Sequence, residues 1–404
     1  MKIFRYAVPL FWAVAAASCV DYGDATGAVS VSVGVELPGG LAGGVLRGRA
    51  VLLTGSGGTA TAMTDAAGMA TFPQVTPGVY DVSTSWGLTA DEYKEQSGDE
   101  NVTNGCTVAG SLSQLLITSD SRLTMPTTVA LRRDILIGKV FYAGSRDNNR
   151  RAYQAGKYVE LYNQSDSAVD VSGLCIGLCE SESSPAYTLE NIATALGDSV
   201  VLLKQVFRIP TDAGFVVPPG GTVLIVNSAT DHSVNNSSEH DLSAADFEAK
   251  DTRGRTVNNP STPALEVLHL TSEALSYMNL VQSGPCGVAI FRASKGEVDA
   301  WPTIYAYGRT RGTMFKTVPR RYVVDAVECL RNTARGVDVS SKRIGAELDA
   351  GYVNIDAVSG YSGEVVYRKT SSVTADGRVV LADTNNSSND FQVSTTIAPR
   401  EYDR

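Results

Sequence analysis

The sequence predicts an all-β protein made of two β-sandwich regions. Three observations carry that expectation. The 404-residue chain holds 38 glycines, its short apolar runs are separated by clusters of Gly, Pro, Asn and Asp, and no heptad run, internal repeat or low-complexity tract breaks the pattern. The length accommodates two or more domains.

The chain opens with Lys2 and Arg5, then an apolar stretch from Tyr6 to Ala17 that ends in small side chains. This order of charged start, apolar middle and small-residue exit predicts a signal peptide over residues 1–18. The apolar stretch is too short to cross a bilayer, which takes about 20 apolar residues. Ala16, Ala17 and Ser18 lead directly into Cys19, which resembles a bacterial lipobox with alanine in place of the usual leucine. The resemblance implies that Cys19 becomes the first mature residue and carries acyl chains, with residues 19–26 as a tether. Each buried methylene contributes about 0.8 kcal/mol, and stable anchoring takes more than one chain.

The formal net charge is −9, and losing Lys2 and Arg5 with the signal makes the remaining chain more acidic still. Non-specific nucleic-acid binding rests on basic surface, so no nucleic-acid partner is expected. Beyond Cys19 there are five cysteines, Cys106, Cys175, Cys179, Cys286 and Cys329. An envelope location permits disulfides, yet an odd count leaves at least one thiol unpaired, and the pairing stays open. In a straight strand Cys175 and Cys179 lie about 13 Å apart, beyond disulfide reach, so only a turn or bulge at Gly177 joins them. Zinc is poorly served here, because the spacing is not C-x-x-C and no histidine lies nearby.

The first region, residues 27–131, starts with "AVSVSVGVEL", which places Val29, Val31, Val33 and Val35 on one strand face. Asp65-Ala-Ala-Gly68 predicts a turn with Gly68 at positive φ, Phe72 a core anchor, and Pro77-Gly78 a second turn. Tyr80, Val82 and Thr84 then share a face. This stretch resembles the transthyretin-like or carboxypeptidase-regulatory-like sandwich, an immunoglobulin-type module that serves as a spacer or adhesive unit.

Arg132-Arg133 joins this to a second region, residues 132–404. "DILIGKVFYAG" and "KYVELYNQSDSAVDVSGLCI" alternate as strands, with Val159 and Leu161 on one face and Tyr158, Glu160 and Tyr162 on the other. The pattern "YVELYN-x-S-D-x-A-V-D-V-S-G", followed by "VPPGGTVLIVNSA", "RYVVDAVE" and "DTNNSSNDF", resembles a lamin-tail domain. Such a sandwich needs about 100 residues, which implies a larger sandwich with long insertions, the main one over about 180–285. Within it "DLSAADFEAKD" predicts a short helix capped by Ser243, with Asp246 favouring its dipole. "HSVNNSSEH" reads as a polar loop. A regulatory-like sandwich followed by a lamin-tail-like domain is similar to a family of uncharacterised Bacteroidetes lipoproteins. That resemblance implies a surface-exposed protein lipid-anchored in the outer membrane, accessory to a TonB-dependent transporter or another envelope protein.

Catalytic signatures are sparse. No G-x-S-x-G, Walker A, G-x-G-x-x-G or H-E-x-x-H string occurs, and only His232, His240 and His269 are available to a triad. Asp231, His232, Glu239, His240 and Asp241 form the densest set of metal-ligand types, with His232, His240 and Asp241 the metal candidates, but their spacing suits no standard zinc pattern. "DTNNSSND" alternates Asp383, Asn385 and Ser387 like an EF-hand start, yet lacks the glycine at loop position six, the bidentate Glu and the flanking helices. A turn pinned by side chains fits it better. The distinctive binding candidate is "WPTIYAYGRTRGTMFKTVPRRY". There Trp301, Tyr305 and Tyr307 offer aromatic faces, and Arg309 and Arg311 offer guanidinium forks.

Together these features predict a non-enzymatic envelope lipoprotein that binds a ligand or partner and needs no cofactor. The competing readings are a hydrolase or metal-dependent enzyme with its site in residues 180–285, and a structural or adhesive surface protein.

Overall fold

The computed structural model describes residues 27–404 except 40, 42–44, 56–57, 98–104, 132, 182–187, 197–199, 235, 237–238 and 306–308. The expected signal peptide (residues 1–18) and tether (19–26), with Cys19, lie outside the described residues. The chain is all-β, and packing divides it into two compact units. One holds the described residues up to Trp86 with Ala109–Thr128; the other holds Gly87–Val108 with Val129–Arg404.

In the first unit the valine alternation does what a half-buried strand requires. Strand Val29–Glu36 turns Val31, Val33 and Val35 inward. It pairs antiparallel with Met69–Val75, Val31 opposite Phe72, and parallel with Ser121–Pro126, Val35 opposite Met125. Facing it, Ala50–Gly55 pairs with Gly58–Met63 and with Gly78–Leu88. Val51, Leu53, Phe72, Tyr80, Val82 and Ile117 close the core between the sheets. The Asp65 turn forms as expected: Gly68 sits at φ +78°, and Asp65 Oδ1 accepts from the amides of Ala67 and Met69 at 2.8 and 2.9 Å. A side chain at Gly68 would be strained there.

The second unit is a larger sandwich. One sheet is ordered Phe247–Glu248, Thr222–Val226, Tyr158–Asn163, Ile135–Phe141, Val365–Arg368, Phe391–Ser394. The other runs Thr303–Tyr305, Met314–Pro319, Val200–Arg208, Leu174–Cys179, Val288–Arg292, Val323–Val327, with Glu266–Leu270 also paired to Val200–Arg208. The stretch expected as an insertion over 180–285 therefore supplies a central strand to one sheet and the penultimate strand to the other. A large apolar core lies between them, including Ile137, Val159, Leu161, Leu178, Phe207, Ile225, Ile290 and Val366.

Strand alternation does not translate into one wet face here. All six residues of Tyr158–Asn163 are buried, because further chain covers the outer faces of both sheets. Val201, Leu203, Phe291, Val318, Ile344 and Leu348 pack outside the second sheet, and Leu136, Tyr162, Val379 and Leu381 outside the first.

The helix predicted from "DLSAADFEAKD" does not form. Residues 243–246 make a turn, and Phe247–Glu248 is an edge strand pairing Ile225 with Phe247. Tertiary contacts override the capping signal. Asp246 Oδ2 accepts from the Leu224 amide at 2.7 Å, and Phe247 is buried against Phe215, ring centroids 5.3 Å apart. "DTNNSSNDF" does form the side-chain-pinned turn. Asp390 accepts from the amides of Thr384 and Asn386, and Asn386 caps the short helix Ser387–Asp390.

All five described cysteines are buried, and Cys175, Cys179, Cys286 and Cys329 are free thiols. Cys175 and Cys179 sit on one extended strand, Leu174–Cys179, as the distance argument requires. Cys286 and Cys329 face each other across neighbouring segments, the Cys286 amide donating to the Cys329 carbonyl at 2.8 Å. That hydrogen-bonded register holds opposed β-carbons near the upper end of about 4.5–5.5 Å, wider than the roughly 3.5–4.5 Å of a disulfide. Burial pushes the Cys175 thiol up to about 12 and raises the thiols of Cys179, Cys286 and Cys329 as well. Thiol titration should accordingly find Cys175, Cys179, Cys286 and Cys329 unreactive in the folded protein and all four reactive in denaturant; protection of these four persisting in denaturant without reductant would contradict this.

Candidate ligand-binding cleft

A cleft of about 540 Å³ opens on the outer side of the first sheet of the second unit. Three chain segments build it. Asn163, at the end of "YVELYN", locks the Pro218–Gly221 turn: its amide donates to Gly221 O and its carbonyl accepts from Gly220, both at 2.9 Å. Its side-chain amide reaches Val217 O at 2.8 Å. Gly220 takes φ +72°, and a β-carbon there would come within 3.1 Å of the Arg378 stem, so glycine leaves that arginine its place.

The second segment is the turn before strand Val379–Leu381. Thr374 accepts the Arg378 amide on Oγ1 at 3.0 Å, and Gly377 sits at φ +85°. Asp376 and Arg378 thus stand two residues apart at the cleft edge. Arg378 Nη1 donates to the Gln164 carbonyl.

The third segment is Arg400 to Arg404. Arg400 is engaged through both Nη atoms, Nη1 with Thr222 Oγ1 at 3.0 Å and Nη2 with Asp246 at 2.9 Å and Ala244 O at 3.1 Å. Tyr402 packs edge-on against Tyr162 at 5.0 Å and donates to Glu160 Oε1 at 2.9 Å. Beneath it lies an ion pair sealed from solvent, Lys139 Nζ to Glu160 Oε1 at 2.8 Å, with the ammonium 3.8 Å from the Tyr402 ring centre. Desolvation lowers the Lys139 pKa against the pull of Glu160. Close packing requires Gly138, where a β-carbon would fall 1.9 Å from the Tyr402 hydroxyl. The floor is therefore rigid, and the lining is mostly polar.

The structure distributes the sequence-predicted residues elsewhere. Trp301 is half-buried and packs into the second sheet's outer cluster, 4.8 Å from Tyr322 and 6.0 Å from Phe291. Tyr305, Arg309 and Arg311 are exposed; Tyr307 lies outside the described residues. Of the aromatic faces expected there, Tyr305 is exposed and Trp301 is half-buried in packing.

His232 is not in a solvated loop. It is 1% exposed, with Nε2 2.8 Å from the Ser228 carbonyl and Nδ1 2.6 Å from the Tyr153 hydroxyl. That network assigns the proton to Nε2, so Tyr153 donates to Nδ1. Burial lowers the pKa of both His232 and His240. Their backbones meet, the His232 amide to the His240 carbonyl at 3.1 Å, and Asp241 Oδ1 accepts from Ser243 N at 2.9 Å. Both His232 ring nitrogens are already used, and among the described residues no group of three His, Cys, Asp or Glu is arranged to hold a metal. Glu239, read from sequence as part of the same loop, is also buried. It accepts from Ser145 Oγ, itself hydrogen-bonded by Asn236 Nδ2 at 2.9 Å. The cluster clasps this segment to the 145–153 hairpin.

Sequence reasoning missed the cleft because its residues come from three segments spread over more than 200 positions, from Tyr162 to Arg404, and carry no motif spacing. The "VPPGG" turn and the "YVELYN" strand were the only signals, and they marked its frame.

Residues 218–398 match the model of a domain described as Protein of unknown function (DUF4876). The crystal structure of a DUF4876 family protein from Bacteroides thetaiotaomicron is similar, with 19% identity, 90% of this chain and 94% of that chain covered, and a TM-score of 0.56. That likeness supports the fold. A Pseudomonas aeruginosa protein proposed to bind carbohydrate aligns at 14% identity over 26% of this chain and 92% of its own, TM-score 0.18. The major pilin subunit of Bacillus cereus aligns at 11% over 81% of this chain and 98% of its own, TM-score 0.15. Neither of these two carries an argument. No curated protein matches significantly.

Proposed function

We propose that this chain is a non-catalytic binding module of a bacterial cell envelope, tethered through acylated Cys19, with its ligand site in the cleft of the second unit. The cleft itself carries the reading. It has the volume of a small-molecule site, a few hundred to about 1,000 Å³, and a framework of buried hydrogen bonds and an ion pair holds it in shape. Preorganisation of that kind lowers the cost of binding.

The anchor reading rests on the lipobox-like run into Cys19; among the described residues no helix is long and apolar enough to cross a membrane. A TonB-dependent transporter is the partner class implied by the lipoprotein resemblance. The hydrolase reading has less support. Within residues 180–285 the imidazole of His232 already bonds Tyr153 and Ser228, which leaves it no free ring nitrogen for a triad or a metal.

Native mass spectrometry of the purified chain against neutral saccharides, uronates and inorganic phosphate tests the binding claim. At least one class should be retained unaltered, whereas turnover of any panel member, or no retention at all, overturns it. Cells fed a palmitate analogue should label the wild type and not Cys19→Ala; label on both or neither removes the anchor.

A further inference from the structure

The cleft's ligand class follows from how its charges balance, and the inference rests on the binding reading above. Arg400 is neutralised by Asp246 at 2.9 Å. Among the lining side chains, Arg378 and Arg404 remain against Asp376 and Glu401, two cations and two carboxylates. A ligand with net negative charge meets two carboxylates, and one with net positive charge meets two guanidiniums. Each like-charge approach opposes binding. Electrostatics therefore favours neither ion.

Hydrogen-bonding chemistry selects further. Guanidinium groups only donate, and ionised carboxylates only accept. A lining that alternates the two, with Asp376 and Arg378 two residues apart on one turn, matches a ligand whose neighbouring groups each donate and accept. Vicinal hydroxyls do this. The Arg378 guanidinium is positioned for it, because its bond to the Gln164 carbonyl uses Nη1 and leaves most of its five N–H donors for a ligand. Gly220 and Gly377, both at positive φ, keep side chains off the approach. The polar lining fits a hydrophilic ligand better than the apolar compounds that most small-molecule pockets hold.

We propose that the cleft binds a neutral polyhydroxylated ligand, a short saccharide, with the Asp376 carboxylate and the Arg378 and Arg404 guanidiniums reading its hydroxyls.

Isothermal titration of the full chain with cellobiose, xylobiose and mannobiose, alongside digalacturonate and inorganic phosphate, tests this. At least one neutral disaccharide should bind and the two anions should bind more weakly. Asp376→Ala and Arg404→Ala should each weaken that saccharide by roughly tenfold or more, the loss expected for hydrogen bonds to charged groups. Both side chains are exposed, so the melting temperature should stay within about 2 °C of wild type. Gly138→Ala, which displaces Tyr402, should weaken binding through the floor. Tighter binding of digalacturonate or phosphate than of every saccharide overturns the ligand class while leaving a binding module. Saccharide affinity unchanged in both surface variants overturns the site. If no probe binds, the ligand class and the binding reading fall together.

Discussion

Replacing Arg368 with alanine should cost about 3–5 kcal/mol, the range for removing one partner of a buried charge cluster, and in a domain of ordinary stability that approaches complete unfolding. Arg368 is among the largest fully buried side chains, 2% exposed. Nη2 makes two bonds to Asp325 at 2.9 Å, Nη1 lies 3.5 Å from Asp383 and 3.4 Å from Asp390, and Nε donates to Ile137 O at 2.9 Å. Alanine leaves three carboxyls around an empty space, with Arg133, 3.0 Å from Asp325, as the remaining cation. Burial already raises the Asp383 pKa against the pull of Arg368; without that pull Asp383 takes a proton, which limits the loss without abolishing it. Arg368→Lys should recover little, since one ammonium cannot reach Asp325, the Ala382 carbonyl and the Ile137 carbonyl, which the guanidinium serves from three separate nitrogens. By contrast Lys295→Ala breaks an exposed i,i+4 pair with Asp299 and should cost under about 0.5 kcal/mol. Urea denaturation of the three variants checks the contrast. An Arg368→Ala loss no larger than that of Lys295→Ala would show that the cluster does not hold the two sheets.

The position of that cluster explains what was legible in the sequence. In the first unit one face of each strand meets the core, so Val31, Val33 and Val35 and then Tyr80, Val82 and Thr84 announce themselves by alternation. The Asp65 to Gly68 turn is equally plain, because a positive φ there calls for glycine. In the second unit the strands are legible but their environment is not. Lys139, Glu160, Lys204 and Arg368 occupy strand positions that read as solvent-facing, yet all are buried. Polar residues at alternate positions signal water only when nothing covers that face; here Val379, Leu381 and Tyr402 cover one sheet and Val298, Trp301, Ile344 and Leu348 the other. The same blindness hid the cleft, since Tyr162 reads as the outer face of an ordinary strand until Tyr402, 240 residues on, packs against it. It also turned His232 and Glu239 from a buried clasp into an apparent polar loop.

Glu239 and Glu328 should make the folded protein lose stability as pH rises from about 4.5 to 7, the reverse of the usual acid-side behaviour. Each carboxyl is pushed up to about 7 by burial. Ser145 and Lys157 oppose the shift at Glu239; at Glu328 the opposition comes from Lys342 and the amides of Arg343 and Ile344. A folded-state pKa above the unfolded value means that the folded state holds a proton the unfolded chain has released. The stabilisation is complete below the unfolded pKa of 4.5 and is lost as pH climbs through 7. At 1.36 kcal/mol per unit, the shift corresponds to about 3 kcal/mol for each group. Lys157, lowered to about 8 by burial, acts in another window. Its contribution is present above 10.5 and lost as pH falls through 8, so stability recovers on the alkaline side and the minimum lies near pH 7–8. Glu239→Gln isolates one term, because the amide oxygen still accepts from Ser145 Oγ and cannot ionise. Measured by urea denaturation, its advantage over wild type should be small at pH 4.5 and grow towards about 3 kcal/mol by pH 8. Parallel stability curves for the two proteins would mean that Glu239 reaches water in the folded state, and that the clasp joining it to Ser145 opens without cost.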